Sequence, residues 1–152
     1  MSKPIYVLNG PNLNRLGTRE PEIYGRTTLA EVETMCREAA SGQAIVFRQS
    51  NREYEIIEWV HEAIDEASGI IINPAGYSFT SIAILDALKM AAEPIIELHI
   101  SNIHRREAEW RSRSIMTQVV TGMISGLGVR GYELAVMHLI HHNRLPAAER
   151  SR

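Results

Sequence analysis

The chain has 152 residues, of which 45% are hydrophobic and 22% are charged, and its formal net charge is -2. A chain of this length can bury one sizeable core, so we expect a single domain over residues 1–152. The weak net charge argues against nucleic acid or a membrane as the main partner and favours a small molecule or another protein. The single cysteine, Cys36, excludes a disulfide within the chain, and the apolar run at the start is too short for a signal peptide. A cytoplasmic protein is therefore expected.

Apolar runs of strand length alternate with segments of helical spacing along the chain. The predicted strands cover residues 5–8, 44–47, 70–72, 95–98 and 119–124, and each is expected to be buried on both faces. The predicted helices cover residues 29–40, 53–66, 81–90 and 131–141, with a shorter one near 105–110. This alternation predicts an α/β fold with a five-stranded parallel sheet in the flavodoxin-like doubly wound order, between two helical layers in a three-layer αβα arrangement.

One connection, at about residues 10–27, interrupts this alternation. It is rich in glycine and proline, contains Arg15, Arg19 and Arg26, and shows neither helical nor strand periodicity. Loops of this length inside compact domains are usually functional lids or disordered. Because this one follows the first strand, it lies at the carboxyl edge of the sheet, where open α/β sheets bind ligands. We therefore predict an active-site lid.

Polar segments at residues 73–78 and 99–102 follow the third and fourth predicted strands, so they should converge on the lid. Within the fourth strand, alternation places Glu97 and His99 on the same side, where the carboxylate could fix the tautomer of the imidazole. This pair is a candidate general acid or base. Taken alone, such a pair is more often a surface ion pair at the end of a strand.

Tyr24 is the second candidate for proton transfer. A nearby guanidinium would stabilise its phenolate, and Arg15 and Arg19 lie in the same loop. The alternative is a lid tyrosine that only packs on its ligand or hydrogen-bonds to it. Arg106 and Arg111 add positive charge after the fourth strand, which suits a carboxylate substrate. The alternative is that they lie on a solvated helix face.

The glycines at 126, 128 and 131 match the spacing of a dinucleotide-binding loop. They belong to the last strand–helix unit, however, and no later strand remains to supply the acidic residue that binds the ribose. We therefore interpret them as a tight turn and a close helix contact.

Two long motifs make the sequence similar to a known family. Residues 8–17 read Leu-Asn-Gly-Pro-Asn-Leu-Asn-Arg-Leu-Gly, and residues 97–107 read Glu-Leu-His-Ile-Ser-Asn-Ile-His-Arg-Arg-Glu. Shorter matches follow in the same order: Arg-Glu-Pro at 19–21, Ile-Tyr-Gly at 23–25, Gln-Ser-Asn at 49–51, Asn-Pro at 73–74 and Gly-Leu-Gly at 126–128. Over residues 5–139 the chain resembles the type II 3-dehydroquinate dehydratases.

The resemblance implies a homo-oligomer, a dodecamer of four trimers, that converts 3-dehydroquinate into 3-dehydroshikimate by anti elimination without a cofactor or metal. Tyr24, activated by Arg19, would remove a proton beside the ketone, and Asn12 would hold a water that stabilises the enolate. His99, oriented by Glu97, would protonate the leaving hydroxyl. The residues implied to contact the substrate are Asn73, Gly76, Ile100, Ser101, Arg106, Arg111 and, from a neighbouring subunit, Asp86.

Phe79 departs from the family pattern, since relatives carry histidine there. A lost hydrogen bond to a buried hydroxyl costs on the order of 1 to 3 kcal/mol. The chain also has one residue more than relatives between His104 and Ser114, which bears on the match of Arg111. An alternative is therefore a paralogue that acts on, or only binds, a related cyclic hydroxy keto acid. Aromatic amino acid biosynthesis through the shikimate pathway and quinate catabolism would both use the reaction, so the pathway stays open.

Overall fold

The structure is a computed structural model that describes residues 2–18 and 21–150, except for the side chains of Ile23 and Tyr24. Its strands are β1 (Ile5–Asn9), β2 (Ile45–Gln49), β3 (Gly69–Asn73), β4 (Ile95–His99) and β5 (Gly122–Ser125). Every neighbouring pair is parallel, and the order across the sheet is β2-β1-β3-β4-β5. This is the predicted flavodoxin-like doubly wound order, in which β1 and β3 flank the point where the winding reverses.

The helices cover both faces of the sheet. They are α1 (Pro21–Tyr24), α2 (Leu29–Ala39), α3 (Glu53–Glu66), α4 (Ile82–Leu88) and α5 (Arg130–Arg144). Because side chains alternate along a strand, Ile5 and Val7 of β1 join the core with α2 and α5, while Tyr6 and Leu8 join the core with α3 and α4. The three-layer αβα prediction is confirmed. None of the helices in the described ranges is long and apolar enough to cross a membrane.

The two edge strands correct the prediction that all strands are buried on both faces. Four of the five residues of β2 and all four of β5 are only partly buried. An edge strand has a neighbour on one side only, so the helices above and below cover it less completely. The last strand also starts later than predicted, at Gly122, because residues Ile115–Val119 form a 3-10 helix capped by the Ser114 side chain.

The prediction of a short helix near residues 105–110 is wrong. The segment instead contains two 3-10 helices, Ile103–Arg105 and Glu109–Arg111, and the backbone between them is extended at Arg106 and Ala108. An α-helix is held mainly by an apolar face packed on the core, and within residues 105–110 the one large apolar residue, Trp110, is 66% exposed. The predicted lid is also less irregular than expected, since it contains a 3-10 helix (Leu13–Arg15) and α1.

The glycines between β5 and α5 serve as the turn and contact that were predicted. Gly126 has a φ of 93°, and a Cβ there would lie 2.8 Å from Cβ of Asn102. A Cβ on Gly131 would lie 3.2 Å from Ile124 and 3.3 Å from Leu98, so α5 packs closely on β4 and β5. Cys36 is fully buried in the core, also as predicted.

Candidate active site

A cleft opens at the carboxyl edge of the sheet, beyond the ends of β3 and β4. It encloses about 400 Å³, counting the space at its mouth, which suits a small organic molecule. The residues that line it are Leu13, Asn73, Ala75, Gly76, Phe79, His99, Ile100, Ser101, Arg106 and Arg111. Seven of the twelve site residues predicted from the sequence are in this set, so the convergence predicted for residues 73–78 and 99–102 is confirmed.

The loop after β1 is fixed against its neighbours before it reaches the lid. A Cβ on Gly10 would lie 2.4 Å from the carbonyl oxygen of Pro74, so only glycine allows the two loops to pass so closely. Asn12 has a left-handed backbone with φ of 70°, and its N–H donates to Oδ1 of Asn51 at 2.8 Å. The Tyr77 hydroxyl donates to the carbonyl of Asn51, also at 2.8 Å. Asn51 therefore connects the loop after β1 to the segment after β3.

Glu97 and His99 form the ionisable pair of the site. Both are buried, and Nε2 of His99 lies 2.5 Å from Oε2 of Glu97. The carboxylate accepts the Nε2 proton and fixes the orientation of the ring, which leaves Nδ1 as the nitrogen that a ligand can reach. The prediction that these residues share one side of the strand is confirmed, and burial excludes the surface ion pair.

The charge of Glu97 is maintained by hydrogen bonds. Burial raises the pKa of Glu97, but hydrogen bonds from His99, Ser114 and Thr117 outweigh it, so its pKa lies below the usual value. The Thr117 hydroxyl donates to Oε1 of Glu97 at 2.7 Å. Thr117 and Ser114 were missed from the sequence, because they reach Glu97 only through the fold of the segment before β5.

Two arginines form the cationic side of the cleft. Nη2 of Arg106 donates to the Ser101 hydroxyl at 3.1 Å, and the guanidinium carbons of Arg106 and Arg111 lie 5.6 and 5.8 Å from the ring centroid of Phe79. Arg106 and Arg111 thus line the cleft and do not lie on a solvated helix face. The insertion near Arg111 has not removed it from the cleft.

Asn73 is both a lining residue and part of the core. Its Nδ2 donates to the Tyr132 hydroxyl at 2.9 Å, and its Oδ1 accepts from the N–H of Ala75 at 3.2 Å. The Tyr132 hydroxyl in turn donates to Oδ1 of Asn9 at 2.7 Å. Tyr132 was missed because it lies on the last helix, far along the chain from both asparagines.

The other predicted site residues are not brought into the cleft or cannot be placed. Arg19 and the side chain of Tyr24 lie outside the described residues. Asn12 is exposed and is not a lining residue, and Asp86 lies on α4 with its side chain 64% exposed, 3.7 Å from Lys89. Among the described residues, no group of three or more histidine, cysteine or acidic side chains could hold a metal ion.

Comparison with known proteins gives a consistent result. A family model described as Dehydroquinase class II matches residues 3–140. The chain is 56% identical over 138 residues to a 3-dehydroquinate dehydratase of Caulobacter vibrioides, covering 90% of this chain and 94% of the relative. It is 54% identical to 3-dehydroquinate dehydratase 2 of Agrobacterium fabrum, with coverage of 89% and 92%.

A solved structure agrees with the sequence comparisons. The crystal structure of a type II dehydroquinase from Propionibacterium acnes has a TM-score of 0.88 and 48% identity, and covers 93% of this chain and 98% of that one. The family match, the similarity of nearly full-length relatives and the shared architecture agree with one another. The chain belongs to the class II dehydroquinase family.

Proposed function

We infer that this protein dehydrates 3-dehydroquinate to 3-dehydroshikimate by anti elimination. The observation that carries the proposal is the His99 imidazole, which lines the cleft beside the buried and ionised Glu97. A binding protein would have no need for a buried carboxylate that orients an imidazole towards its ligand. The family of the chain and the names of its relatives support the same reaction.

The reaction needs one base, one acid and a group that stabilises the charge between them. In the proposal, Tyr24 removes the proton beside the ketone as a phenolate stabilised by Arg19, and the electrons of the C–H bond move onto the ketone oxygen. Asn12 holds a water that donates to this enolate oxygen. The enolate then collapses, the C–O bond breaks, and the hydroxyl takes a proton from His99 and leaves as water.

The substrate is held by its carboxylate and hydroxyl groups. The backbone and side chain at Ile100 and Ser101 would bind the carboxylate, with Arg106 as the nearest cation, since it already donates to the Ser101 hydroxyl. Asn73, Gly76 and Arg111 would contact the ring hydroxyls. Asn73 retains one N–H beyond the bond to Tyr132 for this purpose.

We propose that assembly completes the site. Asp86 is exposed on α4 and does not line the cleft of its own chain, so it is available to reach the cleft of a neighbouring subunit in a trimer of the dodecamer. Sedimentation of the purified protein would measure the assembly. A stable monomer with full activity would exclude this role of Asp86.

The direct test is to incubate purified protein with 3-dehydroquinate and follow the ultraviolet absorbance of the conjugated enone product. We expect an enzyme-dependent rise, and its loss in a Tyr24→Phe variant that assembles as the wild type does. No rise with folded protein would reject the reaction. Turnover by the Tyr24→Phe variant at the wild-type rate would reject tyrosine as the base.

Phe79 favours a second candidate, in which the preferred substrate is a related cyclic hydroxy keto acid. Phe79 lines the cleft and offers no hydrogen bond to a ring hydroxyl. If this candidate is correct, an analogue that lacks the ring hydroxyl facing Phe79 would be dehydrated faster than 3-dehydroquinate. A lower kcat/KM for the analogue would reject it.

A further inference from the structure

Two aromatic rings and two guanidinium groups form one wall of the cleft. The rings of Phe79 and Trp110, here called the aromatic pair, meet edge to face, with centroids 6.3 Å apart and planes at 88°. Arg106 lies 5.6 Å from the Phe79 centroid, while Arg111 lies 5.8 Å from the Phe79 centroid and 5.6 Å from the Trp110 centroid. These distances are within the range of cation–π attraction, so one phenyl ring attracts two cations and the indole attracts one of them.

Arg111 carries a buried donor that the described protein does not satisfy. It forms no ion pair with a carboxylate in the described part of the chain. Its Nε is buried and has no hydrogen-bond partner among the same residues. A buried donor of this kind costs free energy unless a ligand supplies the acceptor. Since Arg111 lines the cleft, we expect the occupant of the cleft to supply that acceptor.

Trp110 belongs to the segment where the expected helix is absent. Trp110 is 66% exposed, and its ring packs against Phe79, which lines the cleft. A largely exposed indole contributes little to the stability of the fold. The interactions that this position gives Trp110 are its contacts with Phe79 and Arg111. The 3-10 helix Glu109–Arg111 places Trp110 and Arg111 next to Phe79, which ends a 3-10 helix that follows β3, Ala75–Phe79.

We propose that Phe79 and Trp110 are positioning residues that hold Arg106 and Arg111 as a paired cationic subsite for the acidic, hydroxylated side of the substrate. This rests on the proposed function for the identity of the substrate. Phe79 cannot form a hydrogen bond to the ligand. Its ring instead holds two guanidinium groups, which together have ten N–H donors. Arg106 is oriented by the ring and by Ser101, and Arg111 is oriented by both rings.

The first experiment tests the aromatic pair without any ligand. The chain has two tryptophans, so a Trp59→Phe background leaves Trp110 as the only fluorescent indole. Adding Phe79→Leu should lower the fluorescence anisotropy of Trp110, because the indole loses the ring against which it packs. The matched control is Phe47→Leu, the same substitution on β2, which should leave the anisotropy unchanged. Unchanged anisotropy in the Phe79→Leu variant would overturn the proposal.

The second experiment tests the role of the pair in binding. With 3-dehydroquinate, Phe79→Leu should raise KM about tenfold, as expected for the loss of two cation–π contacts, and change kcat less than about threefold. Phe79→Tyr keeps the ring and should restore KM. Trp110→Leu should raise KM less, because it removes one cation–π contact, to Arg111, where Phe79→Leu removes two. A KM for Phe79→Leu within twofold of wild type, or an equal fall in kcat, would overturn the positioning role.

The two proposals fail in different ways. If the wild-type protein does not turn over 3-dehydroquinate, the proposed reaction fails, and the anisotropy experiment still decides whether the aromatic pair is formed. If the wild type is active but the variants behave like the Phe47→Leu control, the reaction stands and the positioning role fails.

Discussion

Asn9, Asn73 and Tyr132 form a buried amide network at the ends of β1 and β3, and Glu97 and His99 form a carboxylate network at the end of the neighbouring strand β4. Both are almost fully buried, with no member more than 5% exposed. The amide network contains neutral groups that satisfy one another, so it holds strands and α5 in place. The carboxylate network contains a charge and a titratable ring that reaches the cleft.

Buried polar groups serve two purposes in this sheet, rigidity in one network and a maintained charge in the other. Hydrogen bonds among neutral groups give rigidity, and Tyr132 does not titrate near neutral pH because burial raises its pKa. Hydrogen bonds around the Glu97 carboxylate keep it charged, and the charge orients the imidazole that lines the cleft. The first network supports the lining residue Asn73, and the second contains the candidate acid.

The largest expected effect is in the carboxylate network. His99→Gln keeps a donor for Glu97 but cannot transfer a proton near neutral pH, so kcat for 3-dehydroquinate should fall about 10²- to 10⁴-fold. Circular dichroism should show folded protein. A kcat within threefold of wild type would mean that the two networks do not differ in chemical role.

Glu97→Gln should have a smaller effect than the substitution of His99. The amide removes the charge and leaves at most a neutral, weaker acceptor for the Nε2 proton, so we expect kcat to fall roughly 10- to 100-fold. Steady-state kinetics on both variants would compare them. A larger loss for Glu97→Gln than for His99→Gln would contradict the orienting role.

Tyr132→Phe should affect stability more than chemistry. It leaves Oδ1 of Asn9 and Nδ2 of Asn73 without their shared partner, so the free energy of unfolding in urea should fall by roughly 1–3 kcal/mol. Turnover per folded enzyme should stay within about threefold of wild type. Unchanged stability with a large loss of turnover would assign the amide network to catalysis.

The smallest effects are expected in the pH dependence of stability, and they should have opposite signs. The pKa of Glu97 is lowered in the folded state, so its contribution is present above the usual carboxyl value of 4.5 and is lost as pH falls below it. Burial raises the pKa of Tyr132 in the folded state, so its contribution is present below the usual value of 10.0 and is lost as pH rises above it.

Urea unfolding across pH in the wild type, Glu97→Gln and Tyr132→Phe would check both signs. In Glu97→Gln, the free energy of unfolding should fall less at acid pH than in the wild type. In Tyr132→Phe, it should fall less at alkaline pH. Tyr6, whose pKa burial raises to about 12, supplies a second alkaline contribution that Tyr6→Phe isolates. If the free energy of unfolding falls equally at acid pH in wild type and Glu97→Gln, the ionised carboxylate does not stabilise the fold through its partners.

Much of the fold could be predicted because the apolar patterns are strong. The helix over residues 53–66 has the predicted bounds, and the strand alternation that placed Glu97 and His99 together needs only a period of two. The region between β4 and β5 could not be predicted in this way. It lacks a periodic apolar face, and its conformation depends on caps by Asn102 and Ser114 and on contacts with distant residues.

The sequence by itself determined the order of strands and helices, the edge of the sheet where ligands bind, and the family motifs that include Tyr24 and His99, because local periodicity and short motifs encode them. Only the tertiary structure showed that Thr117 supports Glu97, that Tyr132 joins Asn9 to Asn73, and that Phe79 lies against two arginines. These contacts join segments that are distant along the chain, and no local pattern records which side chains meet across a cleft.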